Sequence, residues 1–403
     1  MRLIHTSTLQ LESFLGQDIP PYAILSHTWG EDEVSYDHVR RGIQYNLKKP
    51  SRGLCKVLNT CAQARQDNLH YAWIDTCCID KTNSTELFEA INSMFKWYKN
   101  SAACYVYMED VMLELDGTVT NFETSRWFTR GWTLQELIAP HGLTFFDCNW
   151  SYLKSRHEIS EPLAEITGIY QHILLRRHSY SPGPPRPDID CRACTSYDCL
   201  QSALDDASIA GRMKWAAKRV TTREEDMAYC LMGLFGVTMP LLYGEGKIAF
   251  QRLQQEILRI SPDQTILAWT APPFEMTSRR SHTSYLPDKP SAFQLEAFHH
   301  KDWQLGPSDI AATTQGLEVE VVLGPCAVAA RDSDGKTIMA YDLWLAALGC
   351  TVEADYLAGC HLRPPSSRKF ASTRLYQRSH QLAGDFKARR QSTGYRQPVD
   401  LLQ

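Results

Sequence analysis

Along the first 150 residues, short apolar runs alternate with amphipathic stretches. "YAILSHTW" (22–29) is an apolar run ended by Gly30 and an acidic cluster, Glu31, Asp32 and Glu33, and reads as a buried strand. "GLCKVLNTCAQARQDN" follows with Leu54, Val57, Leu58 and Cys61 at helical spacing. "YAWIDTCCID" (71–80) reads as a second strand running into a loop. Asn83 with Glu86 three residues on resembles a capping box, and Leu87, Ile91, Met94, Phe95 and Tyr98 then form one helical stripe. "AACYVYMEDV" is a third strand and "LTFFDCNW" a fourth. Strands alternating with helices predict an α/β layer with a mainly parallel sheet. Ligands collect at the carboxyl ends of strands in such sheets, so Ser26, His27, Asp75 and Asp80 are placed at the functional edge.

From 151 to 270 the pattern turns mainly helical. "AGRMKWAAKRVTTREEDMAYCLMGLFGV" and "GEGKIAFQRLQQEILRI" read as helices, with Phe250, Leu253, Ile257 and Ile260 on one stripe of the second. A stretch rich in Pro, Ser and Arg around 176–200 interrupts them as a surface insertion. Short β-prone runs such as "GLEVEVVL" suggest a smaller β-rich region over 271–362. Between Arg363 and Arg396 nine Lys and Arg face one acid, Asp385, which marks 363–403 as a basic, solvated tail.

Composition narrows the function classes. Net charge is −4 from 42 basic and 46 acidic residues, so nothing global points to nucleic acid. The most apolar runs, such as "MAYDLWLAALGC", are too short for a membrane span, and "MRLIHTSTLQLESF" lacks the apolar core of a secretory signal. The thirteen cysteines, an odd count with Cys77 beside Cys78, are read as core filler in a reducing, cytoplasmic setting rather than as a disulfide framework. Cys191, Cys194 and Cys199 form a CxxC with a third cysteine, one ligand short of a structural zinc site. There is no GxxxxGK[ST], no GxGxxG after a strand and no HExxH.

The densest chemistry lies in "SRWFTRGWTLQEL" (125–137). Its last part forms a short helix that Pro140 stops, and Trp132 and Glu136, four apart, share a face of it. A carboxyl beside an aromatic wall can have its proton affinity tuned by desolvation, and can stabilise an oxocarbenium-like transition state in glycosidic cleavage. The alternative is that Glu136 pairs with Arg126 or Arg130 and pins the helix. His27 and Trp29 either line a pocket at the first strand end or pack there; Asp75 and Asp80 either serve the site or cap loops.

Together "PPYAILSHTWG", "WIDTCCIDK", "EAINSMFKWYKNSAACYVYMEDV" and "SRWFTRGWTLQELIAP" resemble successive motifs of the fungal heterokaryon-incompatibility (HET) domain. The likeness continues through "RMKWAAKRVTTREEDMAYCLMGLFGVTMPLLYGEGKIAFQRLQQEI" and "DQTILAW", to about residue 270. It implies a HET domain over 1–150, a helical extension of it over 151–270, and a role in non-self recognition that ends in cell death. HET domains in turn look similar to Toll/interleukin-1 receptor (TIR) domains, which implies a flavodoxin-like parallel sheet with flanking helices. "RGWTLQEL" resembles the TIR stretch carrying the catalytic glutamate of NAD+-cleaving members. Carried over, Glu136 is the catalytic residue, and Ser26, His27, Trp29, Asp75, Asp80, Arg126, Arg130 and Trp132 hold the substrate. The resemblance implies NAD+ as substrate with no cofactor or metal required. It also implies self-association through the domain and an unknown protein partner. The rival reading is a non-catalytic adaptor acting by homotypic contact.

Overall fold

The computed structural model describes residues 1–16, 18–42, 50–176, 199–269 and 286–293, and beyond these the backbone of a set of strands. Most of the insertion around 176–200, with Cys191, Cys194 and the side chain of Cys199, lies outside the described residues, as does most of the basic tail. The chain divides into two compact units: residues 1–206 with 219–244, and residues 207–218 with 245–403.

The first unit is built on a seven-stranded sheet. Strands β1 (Arg2–His5) and β2 (Leu11–Ser13) open the chain and pair antiparallel, and β3 (Tyr22–His27) follows. After α1 (Tyr36–Arg40) and α2 (Arg52–Gln66) come β4 (Tyr71–Trp73), the single turn α3 (Asp75–Cys78), α4 (Ser84–Lys99) and β5 (Ala103–Tyr107). A small hairpin, β6 (Met112–Leu113) with β7 (Val119–Thr120), leads to a turn of 3-10 helix at Arg126–Thr129 and then to α5 (Thr133–Ile138). Strands β8 (Leu143–Phe146) and β9 (Tyr152–Ser155) complete the sheet. Its order is β2-β1-β4-β3-β5-β8-β9, with β4, β3, β5 and β8 mutually parallel and both edges antiparallel. The expected α/β class and mainly parallel core are therefore present, and the four expected strands lie in the doubly wound order second-first-third-fourth.

Central strands read as unbroken apolar runs because helices cover both faces. All six residues of β3 are buried, including Ser26 and His27. The parallel strands need crossovers, and α2 and α4 supply them with capped starts. Ser51 accepts from Leu54 N, and Asn83 accepts from Glu86 N. The reciprocal half of the box at α4 is diverted: Glu86 accepts from Asp80 N at 2.9 Å and from Arg2 at 2.5 Å. Of the α4 stripe, Ile91, Met94 and Tyr98 are buried, each aliphatic member contributing roughly 1.5–3 kcal/mol by leaving water. One local expectation is corrected. Strand β4 ends at Trp73, and Asp75 begins a helical turn whose amides Cys77 N and Cys78 N donate to Ile74 O at 3.1 and 2.8 Å.

Helices follow β9: α6 (Ser160–Thr167), α7 (Gln171–Leu174), α8 (Cys199–Asp205), α9 (Ile209–Ala216), α10 (Asp226–Tyr229), α11 (Met232–Phe235) and α12 (Ile248–Ile260). In the first unit α11 lies against α4 so closely that a Cβ on Gly233 would sit 2.1 Å from Phe95 Cβ. In the second unit the buried stripe of α12 is Phe250, Leu253, Ile257 and Leu258; Ile260, expected on it, is exposed. From Ala297 the described backbone is β, eight strands in one antiparallel-dominated sheet, as the β-prone runs suggested. All seven cysteines whose side chains are described are free thiols, and five of them are buried.

Candidate functional site

The carboxyl ends of β3, β4 and β5 converge on one edge. Ser26 and His27 close β3, Asp75 follows β4 by two residues, and Glu109 follows β5. The 3-10 turn and α5 come over this edge and bring Trp127 and Glu136. Ser26 Oγ donates to Glu136 Oε2 at 2.5 Å, and Trp127 Nε1 donates to Ser26 Oγ at 2.9 Å. The Tyr98 hydroxyl donates to Leu25 O at 3.0 Å and lies within hydrogen-bonding reach of the Glu136 carboxyl. Glu136 is 7% exposed. Burial pushes its proton affinity up to about 8, aided by the negative charge of Asp75 and opposed by the Ser26 and Tyr98 bonds and the Arg219 charge.

Asp75 is driven the other way. Burial alone would raise it, but the Lys81 charge, with hydrogen bonds from His27 and Trp29, holds its carboxyl well below the usual range. His27 Nε2 lies 3.0 Å from Asp75 Oδ1, and Trp29 Nε1 donates to Asp75 Oδ2 at 2.8 Å. Lys81 sits 3.5 Å over the Trp29 ring, whose indole is 54% exposed at the rim. The edge thus holds two carboxyls of opposite character, one kept protonated near neutrality and one kept ionised. Such a pair separates a proton carrier from a fixed anion.

A second layer steadies the loop after β3. Lys56, only 2% exposed on the buried face of α2, reaches Glu33 Oε1 at 2.5 Å and donates to Thr28 O at 3.1 Å. Glu33 also accepts from Gly30 N at 2.8 Å. Arg126 donates to Thr28 Oγ1 at 3.1 Å and pairs with Glu109 at 3.5 Å.

The structure gathers most of the expected residues and redistributes the rest. Ser26, His27, Trp29, Asp75, Arg126 and Glu136 lie at one edge. Asp80 caps the turn before α4, its carboxylate accepting from Thr82 N at 3.0 Å and from the Thr82 hydroxyl at 2.6 Å. Arg130 donates to Thr222 Oγ1 at 3.3 Å. Trp132 sits at the N-cap of α5 and lies near Asp226, whose carboxyl accepts from the Tyr243 hydroxyl at 3.0 Å. The indole at the Glu136 cluster is therefore that of Trp127, and the expected pairing of Glu136 with Arg126 or Arg130 gives way to Glu109 and Thr222 as their partners. Periodicity could not find Trp127, because it lies in a 3-10 turn two residues after the serine cap Ser125 rather than on the helix. Lys56, Arg156 and Arg219 also went unread, since each acts through contacts distant in sequence. Among the described residues no group of three or more His, Cys, Asp or Glu is placed to hold a metal, and no helix is long and apolar enough to cross a membrane.

Comparison with known proteins agrees with the site's sequence setting. Residues 22–118 match the family model of the heterokaryon incompatibility protein (HET), and residues 248–322 match a domain of unknown function, DUF8212. The chain is 44% identical over 248 residues to the vegetative incompatibility protein HET-E-1 of Podospora anserina. The aligned stretch covers 59% of this chain and 16% of that longer protein. No solved structure matches. Strand β3, α2, β4, α4 and β5, which build the sheet edge, all fall inside the matched segment, so this chain carries a HET domain.

Proposed function

We propose that the chain acts in heterokaryon incompatibility, and that its HET domain triggers cell death by hydrolysing the nicotinamide–ribose bond of NAD+. The incompatibility role is drawn from the 44% identity to HET-E-1, and the chemistry from the edge itself. The single observation that carries it is the Ser26–Glu136–Trp127 cluster at the carboxyl edge of a parallel sheet, with ionised Asp75 beside it. In the reaction the ribosyl C1′–N bond breaks and the electron pair leaves with neutral nicotinamide. Positive charge builds on the ribose, water adds at C1′, and one proton is released. Positive charge developing beside Glu136 lowers its proton affinity, so its proton passes to solvent water and the carboxyl becomes an anion when the transition state needs one. Glu136 then stabilises the cation or takes the proton of the attacking water. Asp75 supplies fixed negative charge and holds His27 and Trp29 in place.

A non-catalytic module acting by self-association is the second reading. Favouring it, the carboxyl of Glu136 is buried and already satisfied by Ser26, as a structural keystone would be, and the β6–β7 hairpin exposes Met112, Leu115 and Val119. The full chain, at high concentration or artificially clustered, decides between them by nicotinamide release from NAD+. Release by wild type and its loss in a folded Glu136→Gln variant support hydrolysis. Absence of release from clustered, folded wild type moves Glu136 to a structural role and the activity to self-association.

A further inference from the structure

Helix α5 has six residues, too few to hold itself, and a buried arginine grips each end. At the C-terminal end Arg156 donates to the carbonyls of Leu137 at 2.6 Å, and of Pro140 and His141 at 2.9 Å. The N-terminal end is held by a segment 90 residues further along the chain. Val220 N donates to Thr129 O at 2.7 Å and Gly131 N to Val220 O at 2.9 Å, a short parallel bridge against the turn that launches the helix. Beneath the bridge Arg219 Nη1 donates to Arg130 O at 2.8 Å and to Thr133 Oγ1 at 2.9 Å. Thr133 also donates to Trp127 O at 2.5 Å, so one hydroxyl joins the arginine, the 3-10 turn and the helix.

Thr133 and Glu136 are three residues apart and share a face of α5. The guanidinium is thus on the side of the helix from which Glu136 faces Ser26. Arg219 is 5% exposed. Burial lowers its proton affinity to about 10, which leaves it a cation at neutral pH. Taking a guanidinium out of water costs several kcal/mol, and the charge kept there is opposite in sign to the anion that Glu136 forms on losing its proton.

We propose that Arg219 is a positioning residue for Glu136: it fixes the turn from which α5 starts and supplies the buried cation facing the Glu136 carboxyl. The site then extends past the segment matched by the HET model, which ends at residue 118, to a second stretch beginning at 219. This rests on Glu136 as the working carboxyl, but on no particular substrate.

The test follows the Glu136 carboxyl directly, by carbon-detected NMR titration of the full chain labelled at glutamate side chains, its signal assigned by its loss in Glu136→Gln. Wild type is expected to titrate near pH 8. Arg219→Met should move that midpoint up by about one pH unit, a tenfold change in proton affinity. Arg219→Lys should keep it within a few tenths, while lowering nicotinamide release severalfold, because a point ammonium cannot reproduce the fork to Arg130 O and Thr133 Oγ1. An unmoved midpoint in folded Arg219→Met overturns the proposal. Should that variant not fold, Arg219→Lys decides: a midpoint kept near wild type supports the proposal, and one shifted up by a unit despite the retained charge overturns it. Wild type that titrates as expected but releases no nicotinamide sinks the NAD+ reading and leaves the role of Arg219 standing.

Discussion

Ser26 Oγ donates to Glu136 Oε2 at 2.5 Å across 110 positions of sequence, and this bond ties the end of the central strand to the helix over the sheet edge. Ser26 also accepts from the buried Trp127 indole, so one hydroxyl serves two elements. Ser26→Ala leaves Trp127 Nε1 without its acceptor and removes a bond that favours ionised Glu136. The variant should lose about 1–3 kcal/mol in urea unfolding, and the Glu136 titration should move to higher pH. A titration unmoved in the folded variant would show that the hydroxyl does not govern the carboxyl.

The pH dependence of stability carries the signature of Glu136. Its proton affinity is raised to about 8 in the folded chain, whereas an unfolded chain releases that proton near the ordinary glutamate value. Between those limits the folded state binds more protons, so stability falls as pH rises, by up to roughly 1 kcal/mol per pH unit from this group. Glu136→Gln removes the slope and should gain on wild type steadily from pH 5 to 8. Parallel stability profiles for the two proteins over that range would rule the buried, protonated carboxyl out.

Asp75 has the opposite sign. Its carboxyl is held below the ordinary range, so its contribution is complete above about pH 4 and is lost as pH falls further. Asp75→Asn leaves one of the His27 and Trp29 donors facing an amide NH2, and takes the counter-charge from Lys81. Because the group is only partly exposed, a loss of about 2 kcal/mol at pH 7 is expected in chemical denaturation. The acid limb of the variant should be shallower than that of wild type. An acid limb as steep as wild type's would place the responsible carboxylate elsewhere.

The sheet was legible where burial on two faces leaves a mark. "YAILSHTW", "YAWI", "AACYVY" and "LTFF" are apolar on both sides, and they became β3, β4, β5 and β8 in a doubly wound order. Edge strands β2 ("LES") and β9 ("YLKS") are short and half polar, so their register comes from neighbours rather than from their own pattern. Glu136 was legible as a carboxyl near an aromatic, but the aromatic was mistaken: Trp132 has helical backbone angles at the N-cap of α5, yet the indole that reaches the Ser26–Glu136 pair is that of Trp127, carried by the 3-10 turn before the helix. Arg219, Arg156 and Lys56 leave no local trace, because a buried charge is specified by partners that the fold alone brings together.

Gly131 tests how tightly the 219–230 segment clamps α5. A Cβ there would lie 2.5 Å from Thr221 Cγ2 and 3.2 Å from Cys230 Sγ, the first closer than real contacts allow. The methyl cannot simply rotate away, because the Thr221 hydroxyl donates to Arg223 O at 2.6 Å and fixes the rotamer. Gly131→Ala should therefore displace the bridge between residues 129–131 and 219–221, at a cost of about 1–3 kcal/mol. Adding Thr221→Ser deletes the clashing methyl and keeps the hydroxyl, so the double variant should recover most of the loss, leaving only the milder approach to Cys230. The same pair should split nicotinamide release: severalfold lower in Gly131→Ala, where the Arg219–Thr133 anchor moves with the bridge, and largely restored in the double variant. Thermal unfolding and initial-rate measurements on the four members of this cycle check it. Additive losses, with Thr221→Ser giving no rescue, would mean that residues 219–221 merely lie near α5 without setting its place.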